Sequence, residues 1–299
     1  MKSDNTNRWL LLGMALPAVL LVLVFAYGPI LGWAFAFSDY RIGMAFDRMN
    51  FVGFKAFEAA FTDPSMYQAI INTLAMSLLA LTILPAAASF AILVSELRYR
   101  RYGRFLQTIA TLPNFMSWVI VFSVFSVFLS QGDGVVNNLL QDLKLTTEPI
   151  NFLGNADLTW TLQTFVRYWK ELGYSSVIFF AALAGLDPEL YEAAKIDGAG
   201  RWATIKAITI PGLMPTFLVL LLINIGSILS SGFDQYYVFW NGMVSPAITT
   251  LDYYTYAIGL KNDDIPYATA VSVAKTVVSV ALVFLANSLS KKLAGRSIV

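Results

Sequence analysis

Long apolar runs separated by short charged segments set the pattern of this chain. Charge-free runs cover 9–38, 64–95, 105–132 and 207–233, and a fifth, 265–290, is interrupted only by Lys275. Crossing ~30 Å of hydrocarbon takes about 20 helical residues, so each run predicts a membrane-spanning helix. A sixth apolar run, 172–186, is too short alone, at about 22 Å of helical rise. Extended backwards through Phe165-Val166-Arg167-Tyr168-Trp169-Lys170-Glu171, it reaches span length and puts Arg167, Lys170 and Glu171 near or inside a membrane boundary. The pattern therefore predicts an all-α integral membrane protein of six transmembrane helices. They are expected at about 9–38, 66–95, 105–131, 164–186, 211–233 and 266–290, within a single membrane domain covering 1–299.

Composition agrees. Hydrophobic residues make up 57% of the chain and charged residues 13%, against about 25% charged in an average soluble domain. The first run has Lys2 and Arg8 before it and Ala34-Phe35-Ala36 near its end, as a cleaved signal would. It is about twice the ~7–15 residues of a signal core, so it reads as a retained span, bent near Pro17 and Pro29. The chain has no Cys and no His. That removes disulfides, thiol chemistry, histidine-ligated metal and histidine general-base catalysis.

Six spans place both termini on one side, together with the segments 96–104 and 187–206. That side holds Lys2, Arg8, Arg98, Arg100, Arg101, Arg104, Lys195, Arg201, Lys206, Lys291, Lys292 and Arg296. The positive-inside rule assigns it to the cytoplasm.

One cytoplasmic segment is more elaborate than a turn needs. In 187–211, Asp187-Pro188 starts a helix, with aspartate as cap and proline at the first helical position. Glu189 and Glu192 lie in its first turns, where the helix dipole favours acids. Leu190, Ala193, Ala194 and Ile196 supply a narrow face, and Asp197-Gly198-Ala199-Gly200 permits a sharp change of direction. A second amphipathic helix is expected over 201–210, with Pro211 and Pro215 marking entry into the next span. The segment reads either as an amphipathic pair lying on lipid or as a rigid knob for a cytoplasmic partner. Small residues suit close docking in a groove.

Here the sequence resembles the permease subunits of binding-protein-dependent ABC importers. Their pattern is Glu-Ala-Ala, three residues, Gly, nine residues, Ile, one residue, Leu-Pro. This chain has Glu192-Ala193-Ala194, Gly198, Ile208 and Ile210-Pro211, departing only by Ile for Leu. Trp169-Lys170-Glu171-Leu172-Gly173-Tyr174 and Leu183-Ala184-Gly185-Leu186 resemble the sugar-importing branch. LPNFMSWVIVFSVFSVFLS, GFDQYYVFWNGMV and YATAVSVAKTVVSVALVFLANSLSKKLAG resemble permeases for larger oligosaccharides.

The resemblance implies a type I ABC importer permease fold with a cytoplasmic coupling helix in the bacterial inner membrane. Glu192, Ala193, Ala194, Asp197 and Gly198 would then dock the ATPase. Implied partners are a second permease subunit in a heterodimer, two ATPase subunits and an extracytoplasmic solute-binding protein, besides lipid; no nucleic acid is expected. No Gly-Lys dipeptide, and so no phosphate-binding loop, exists in the chain. ATP and magnesium are thus expected on the partner ATPases, no cofactor and no metal on this chain, and no catalytic role for it.

Polar groups inside a membrane are costly unless paired or facing a cavity, so they mark candidate pathway residues. Lys275 is the ionised residue deep in a span, read as a structural pair or a cavity residue. Asn224, Ser227 and Ser230 fall roughly on one face of the fifth span, and Asn114, Ser117 and Trp118 follow Pro113, which predicts a bend or a helix start. Each set reads as pathway lining or as hydrogen-bonded helix ties. Arg167 and Glu171 are i, i+4 and neutralise one another, or Arg167 contacts substrate. The rings Phe233, Tyr236, Tyr237, Phe239, Trp240, Tyr253, Tyr254 and Tyr256 read as an interfacial belt, with sugar stacking or contact with a binding protein as the other reading. A permease for a non-sugar solute fits the same coupling motif. A stand-alone secondary carrier, which commonly shows internal repeats and an intramembrane acid for ion coupling, fits less well, since no internal repeat is visible and Lys275 is the sole deep charge.

Overall fold

The computed structural model describes residues 3–230 and 232–294. Lys2 and Arg296, used in the orientation argument, lie outside them, as do the side chains of Arg8, Lys291 and Lys292. Among the described residues the chain is helical, apart from an isolated bridge between Ser38 and Phe51. Helix α1 (Ser3–Val22) contains Pro17 and continues as a π turn, Leu23–Tyr27, and a 3-10 stretch, Gly28–Phe37, with Pro29 at its start. Then come α2 (Lys55–Thr62), α3 (Pro64–Leu81), α4 (Ile83–Ser95), α5 (Arg100–Thr111), α6 (Trp118–Leu129), α7 (Val135–Asp142) and α8 (Thr159–Ala184). The rest are α9 (Pro188–Ile196), α10 (Arg201–Thr204), α11 (Ile210–Gly226), α12 (Phe233–Phe239), α13 (Ser245–Ile248), α14 (Leu251–Tyr256) and α15 (Ile265–Ala294).

Among the described residues four segments are long and apolar enough to cross a membrane: Leu10–Phe37, Pro64–Ser95, Arg201–Gly226 and Ile265–Ser288. The pair Arg100–Phe115 and Trp118–Leu129, bent by 103°, makes a fifth where it counts as one span. Helix α8, with 26 residues, is about 39 Å long but carries Arg167, Lys170 and Glu171 in its middle. It is long enough to span and too charged to be recognised by hydropathy.

The chain packs as two compact units, one reaching to Pro64 and including Thr255–Val277, the other comprising Ser65–Tyr254 and the chain from Val278. In the first unit, buried Ala36, Ala270 and Val273 meet Phe37, Ala56 and Phe57, and the Tyr267 hydroxyl donates to Asp63 at 2.9 Å. In the second, Leu84, Ala87, Ala91, Phe179 and Leu213 form one core, joining α4, α8 and α11. Another gathers Met76, Val121, Val166, Tyr236, Phe239, Val244 and Ile248. Alanines at the α4–α8 contact follow from the bilayer as solvent: lipid tails are as apolar as leucine, so helices associate by close backbone approach over small residues. Gly173 carries this furthest. A methyl group there would overlap the backbone of Ala110 and Thr111, so α8 and α5 touch main chain to main chain.

Three expectations are revised and one is sharpened. The third expected span, 105–131, falls on two helices that meet at 103°, at the bend or helix start predicted near Pro113. The fifth ends at Gly226 and not near 233; Gly226 lies against Val283 of α15, where a Cβ would come within 2.6 Å of its methyl. The expected separate helix over 201–210 is instead the opening of the span itself. A π turn at Ile205–Thr209 joins α10 to α11, and its longer-range bonding accommodates the missing N–H of Pro211. Finally, half of the eight belt rings are core: Tyr236, Phe239, Tyr253 and Tyr254 are 2%, 3%, 4% and 6% exposed, whereas Tyr237 is 44% exposed. Trp240 stacks on Tyr253 at 5.3 Å.

Candidate functional site

The break between α5 and α6 begins with Pro113, which supplies no N–H and disfavours helix at the residue before it. A 3-10 turn, Leu112–Phe115, ends at Met116 with ψ 140°. Ser117 restarts the helix as N-cap, its hydroxyl accepting from the Ile120 N–H at 3.4 Å. Breaking a helix leaves carbonyls without intrahelical partners, and in a low-dielectric interior each unpaired one is costly.

Lys170 of α8 meets that need. Its ammonium donates to the carbonyls of Asn114 and Met116, each at 2.7 Å, and more distantly to Pro113 at 3.4 Å. It also lies over the Trp118 ring, 5.2 Å from the centroid, a cation–π contact. The residue is 6% exposed. Of the predicted pathway residues, Asn114 and Trp118 thus converge on one buried cation, Asn114 through its main chain.

One turn away, Arg167 pairs with Glu171 at 3.0 Å and also bonds the buried Tyr236 hydroxyl. The pair satisfies both charges within α8, leaving Lys170 to the carbonyls. Beside it, buried Gln235 of α12 donates its amide to the Gln163 carbonyl and side-chain oxygen, each at 2.9 Å.

Asn224 and Ser227 are placed differently. Both are exposed at the end of α11, where Asn224 donates to the Leu220 carbonyl at 2.8 Å and Ser227 to Ile223 at 3.3 Å and Asn224 at 3.2 Å. These bonds serve their own helix and tie no other. Lys275 is half-buried on α15, in the other unit from Lys170.

In the segment 187–211 the Asp187 carboxylate caps α9, accepting from the Glu189 N–H at 2.9 Å. Glu189, Glu192, Ala193 and Ile196 are exposed along one face, with Ile196 at 87%, while Tyr191 and Ala194 turn inward. The Tyr191 hydroxyl bonds that of Thr209 at 3.1 Å, fixing α9 to the start of the following span. Gly198 has φ +75° with nothing within 4 Å of an added Cβ. Its requirement is therefore the left-handed backbone that ends α9, not close approach. Asp197 and Gly198 close that end through backbone bonds to Ala193 and Lys195, at 3.0 Å and 3.2 Å.

Residues 83–297 match the family described as binding-protein-dependent transport system inner membrane component. The chain belongs to this family. Along its whole length this inner membrane component is 38% identical over 293 residues to Protein LplB of Bacillus subtilis, covering 98% of this chain and 91% of that one. It is 39% identical over 280 residues to the polygalacturonan/rhamnogalacturonan transport system permease protein YteP of the same organism, covering 93% and 87%. A solved bacterial alginate ABC transporter, in complex with an alginate pentasaccharide-bound periplasmic protein, contains a chain of the same fold. The TM-score is 0.90 at 32% identity, over 100% of this chain and 99% of that chain.

Gly173 is not singled out by the sequence, Tyr236 reads there as an interfacial or sugar-stacking ring, and Lys170 is placed near a membrane boundary without a partner. A signal for the lysine existed. Once Arg167 and Glu171 are paired at i, i+4, Lys170 is a third charge in the same apolar helix with no acid to take it. Such a residue must find carbonyls, a ring or a cavity.

Proposed function

We propose that this chain is the transmembrane subunit of an ATP-driven oligosaccharide importer, forming half of the translocation pathway beside a second, different permease subunit. The observation that carries this reading is the likeness over the full chain to a subunit of the alginate transporter, with a TM-score of 0.90. The relative named for polygalacturonan and rhamnogalacturonan transport supports a saccharide cargo. In this reading α8 is the sixth span, both termini face the cytoplasm, and an extracytoplasmic binding protein delivers substrate to the opposite face.

Energy would enter through the segment 187–211. Helix α9 offers Glu192 and Ala193 on its open face to a groove of the ATPase, and Gly198 holds the turn that presents them. Tyr191 and Thr209 then pass the ATPase's closure to α11, so the two permease subunits rock between inward-open and outward-open states. ATP and magnesium act on the two ATPase subunits.

The test is copurification and uptake. The chain, expressed with its partner permease and ATPase, should bring the ATPase through purification and hydrolyse ATP faster when loaded binding protein is added. An assembled complex whose ATPase neither associates nor responds would overturn the reading.

A further inference from the structure

Among the described residues, helix α5 is far more strongly two-sided than any other span-forming helix. Arg104, Gln107, Thr108 and Thr111 recur at i, i+3, i+4 and i+7, on one face. Phe105, Leu106 and Ile109 cover the other and are 60%, 43% and 48% exposed. The apolar face suits lipid. A polar face of four residues along a span needs water or a polar ligand, and snorkelling to the membrane surface accounts for Arg104 alone.

That polar face lines a cavity of about 450 Å³, completed by Leu112, Phe115 and Val177. The hydroxyls of Thr108 and Thr111 donate to the carbonyls of Arg104 and Gln107, at 2.9 Å and 2.7 Å, which leaves their oxygens free to accept. Phe115, 75% exposed, stands at the far end, about 16 Å along the helix from Arg104. The near end adjoins Arg100 and Arg101, the basic segment that marks the cytoplasmic side.

We propose that this groove is a binding track for a carboxylated sugar on the cytoplasmic half of the pathway, running from the break at Asn114 to Arg104. The chemistry selects the occupant. A guanidinium holds a carboxylate, an amide and two hydroxyls match ring hydroxyls, and an exposed phenyl face takes the apolar side of a pyranose. This rests on the saccharide-importer reading and adds the charge of the cargo.

The absence of cysteine from the chain permits a direct test in the complete complex in lipid nanodiscs. Gln107→Cys, Thr111→Cys and Ile109→Cys are each exposed to a thiol-reactive sulfonate and to its trimethylammonium counterpart, and labelling is read on this chain's peptides. Cysteine at 107 and 111 should react, that at 109 should not, and the anion should react about ten-fold faster than the cation, the size expected for one unit charge several ångströms away in water. Adding Arg104→Gln should abolish that preference and Arg104→Lys should keep it. Unreactive cysteines at 107 and 111 would mean that protein or lipid covers the face, overturning the proposal. So would equal labelling at 109, or a charge preference unchanged by Arg104→Gln. ATPase copurification with the same nanodiscs reports separately on the importer reading.

Discussion

The Lys170 ammonium lies 2.7 Å from the Asn114 carbonyl oxygen, joining the middle of helix α8 to the break between α5 and α6. Among the described residues no carboxylate pairs with this lysine; main-chain oxygens and an indole face take up its charge. The cation substitutes for the helical N–H groups that Pro113 and the turn removed.

Lys170→Met should therefore destabilise the assembled permease by about 3 kcal/mol, the scale of charge-assisted hydrogen bonds lost to buried acceptors. Lys170→Arg should recover part of it. Thermal unfolding of the purified complex in detergent gives the comparison. Equal midpoints for wild type and the methionine variant would show that the break holds itself.

Gly173→Ala should be worse than its single methyl suggests. The new carbon would meet the backbone of Ala110 and Thr111, which cannot rotate away as a side chain can, so α8 and α5 must separate. Overpacking of this kind costs about 1–3 kcal/mol, and the readout is yield of folded chain in the membrane. Gly212→Ala is the control, since its nearest neighbour is the flexible Leu186 side chain at 2.6 Å.

At Gly198 the expected cost is conformational. With φ +75°, a β-branched replacement pays about 1–2 kcal/mol to hold the turn, and asparagine pays less. Gly198→Val should lose ATPase association and uptake at unchanged membrane content, with Gly198→Asn intermediate. Normal association in the valine variant would remove the turn from the docking surface.

Asp39 closes the turn after the first span, accepting from the Asn50 amide at 3.0 Å and the Asn50 N–H at 2.8 Å. The Asn50 side chain first, then its N–H, hold the carboxyl below the ordinary carboxylate range. A depressed acid contributes its stabilisation above the unfolded value and loses it as pH falls through the folded one. Protection of the Asn50 amide from hydrogen exchange should therefore be limited by intrinsic exchange alone from pH 8 to 5 and weaken only below about 4. Asp39→Ala should remove that protection at every pH.

Apolar run length made the helical class and most of the spans legible, because the hydrocarbon thickness sets a minimum that sequence displays directly. The start of α9 was legible too, since an aspartate followed by proline caps in only one way. The break near Pro113 could be expected, but not its 103° angle or the lysine that satisfies it, because Lys170 is 54 residues from Met116 and no local pattern links them. Tyr236 and Phe239 were misplaced for a related reason: aromatic composition is the same for an interfacial belt and for a buried core, and only packing in one cluster with Val166 and Met76 separates them. The polar stripe of α5 was present in sequence, but its arginine was counted as a cytoplasmic charge and its threonines as part of an apolar run.

The unbroken course of Arg201–Gly226 makes a lever of this part of the chain. Twenty-six residues of helix form a rod about 39 Å long, pinned near one end by Tyr191 and Thr209 and meeting Val283 at the other. Pivoting at Thr209, a tilt of about 10° would carry Gly226, about 25 Å away, through roughly 4–5 Å. Spin labels at Trp202 and Ile225, each measured against α4, would reveal whether the two ends move in opposite directions through the ATP cycle, as a rod rocking about a fulcrum must.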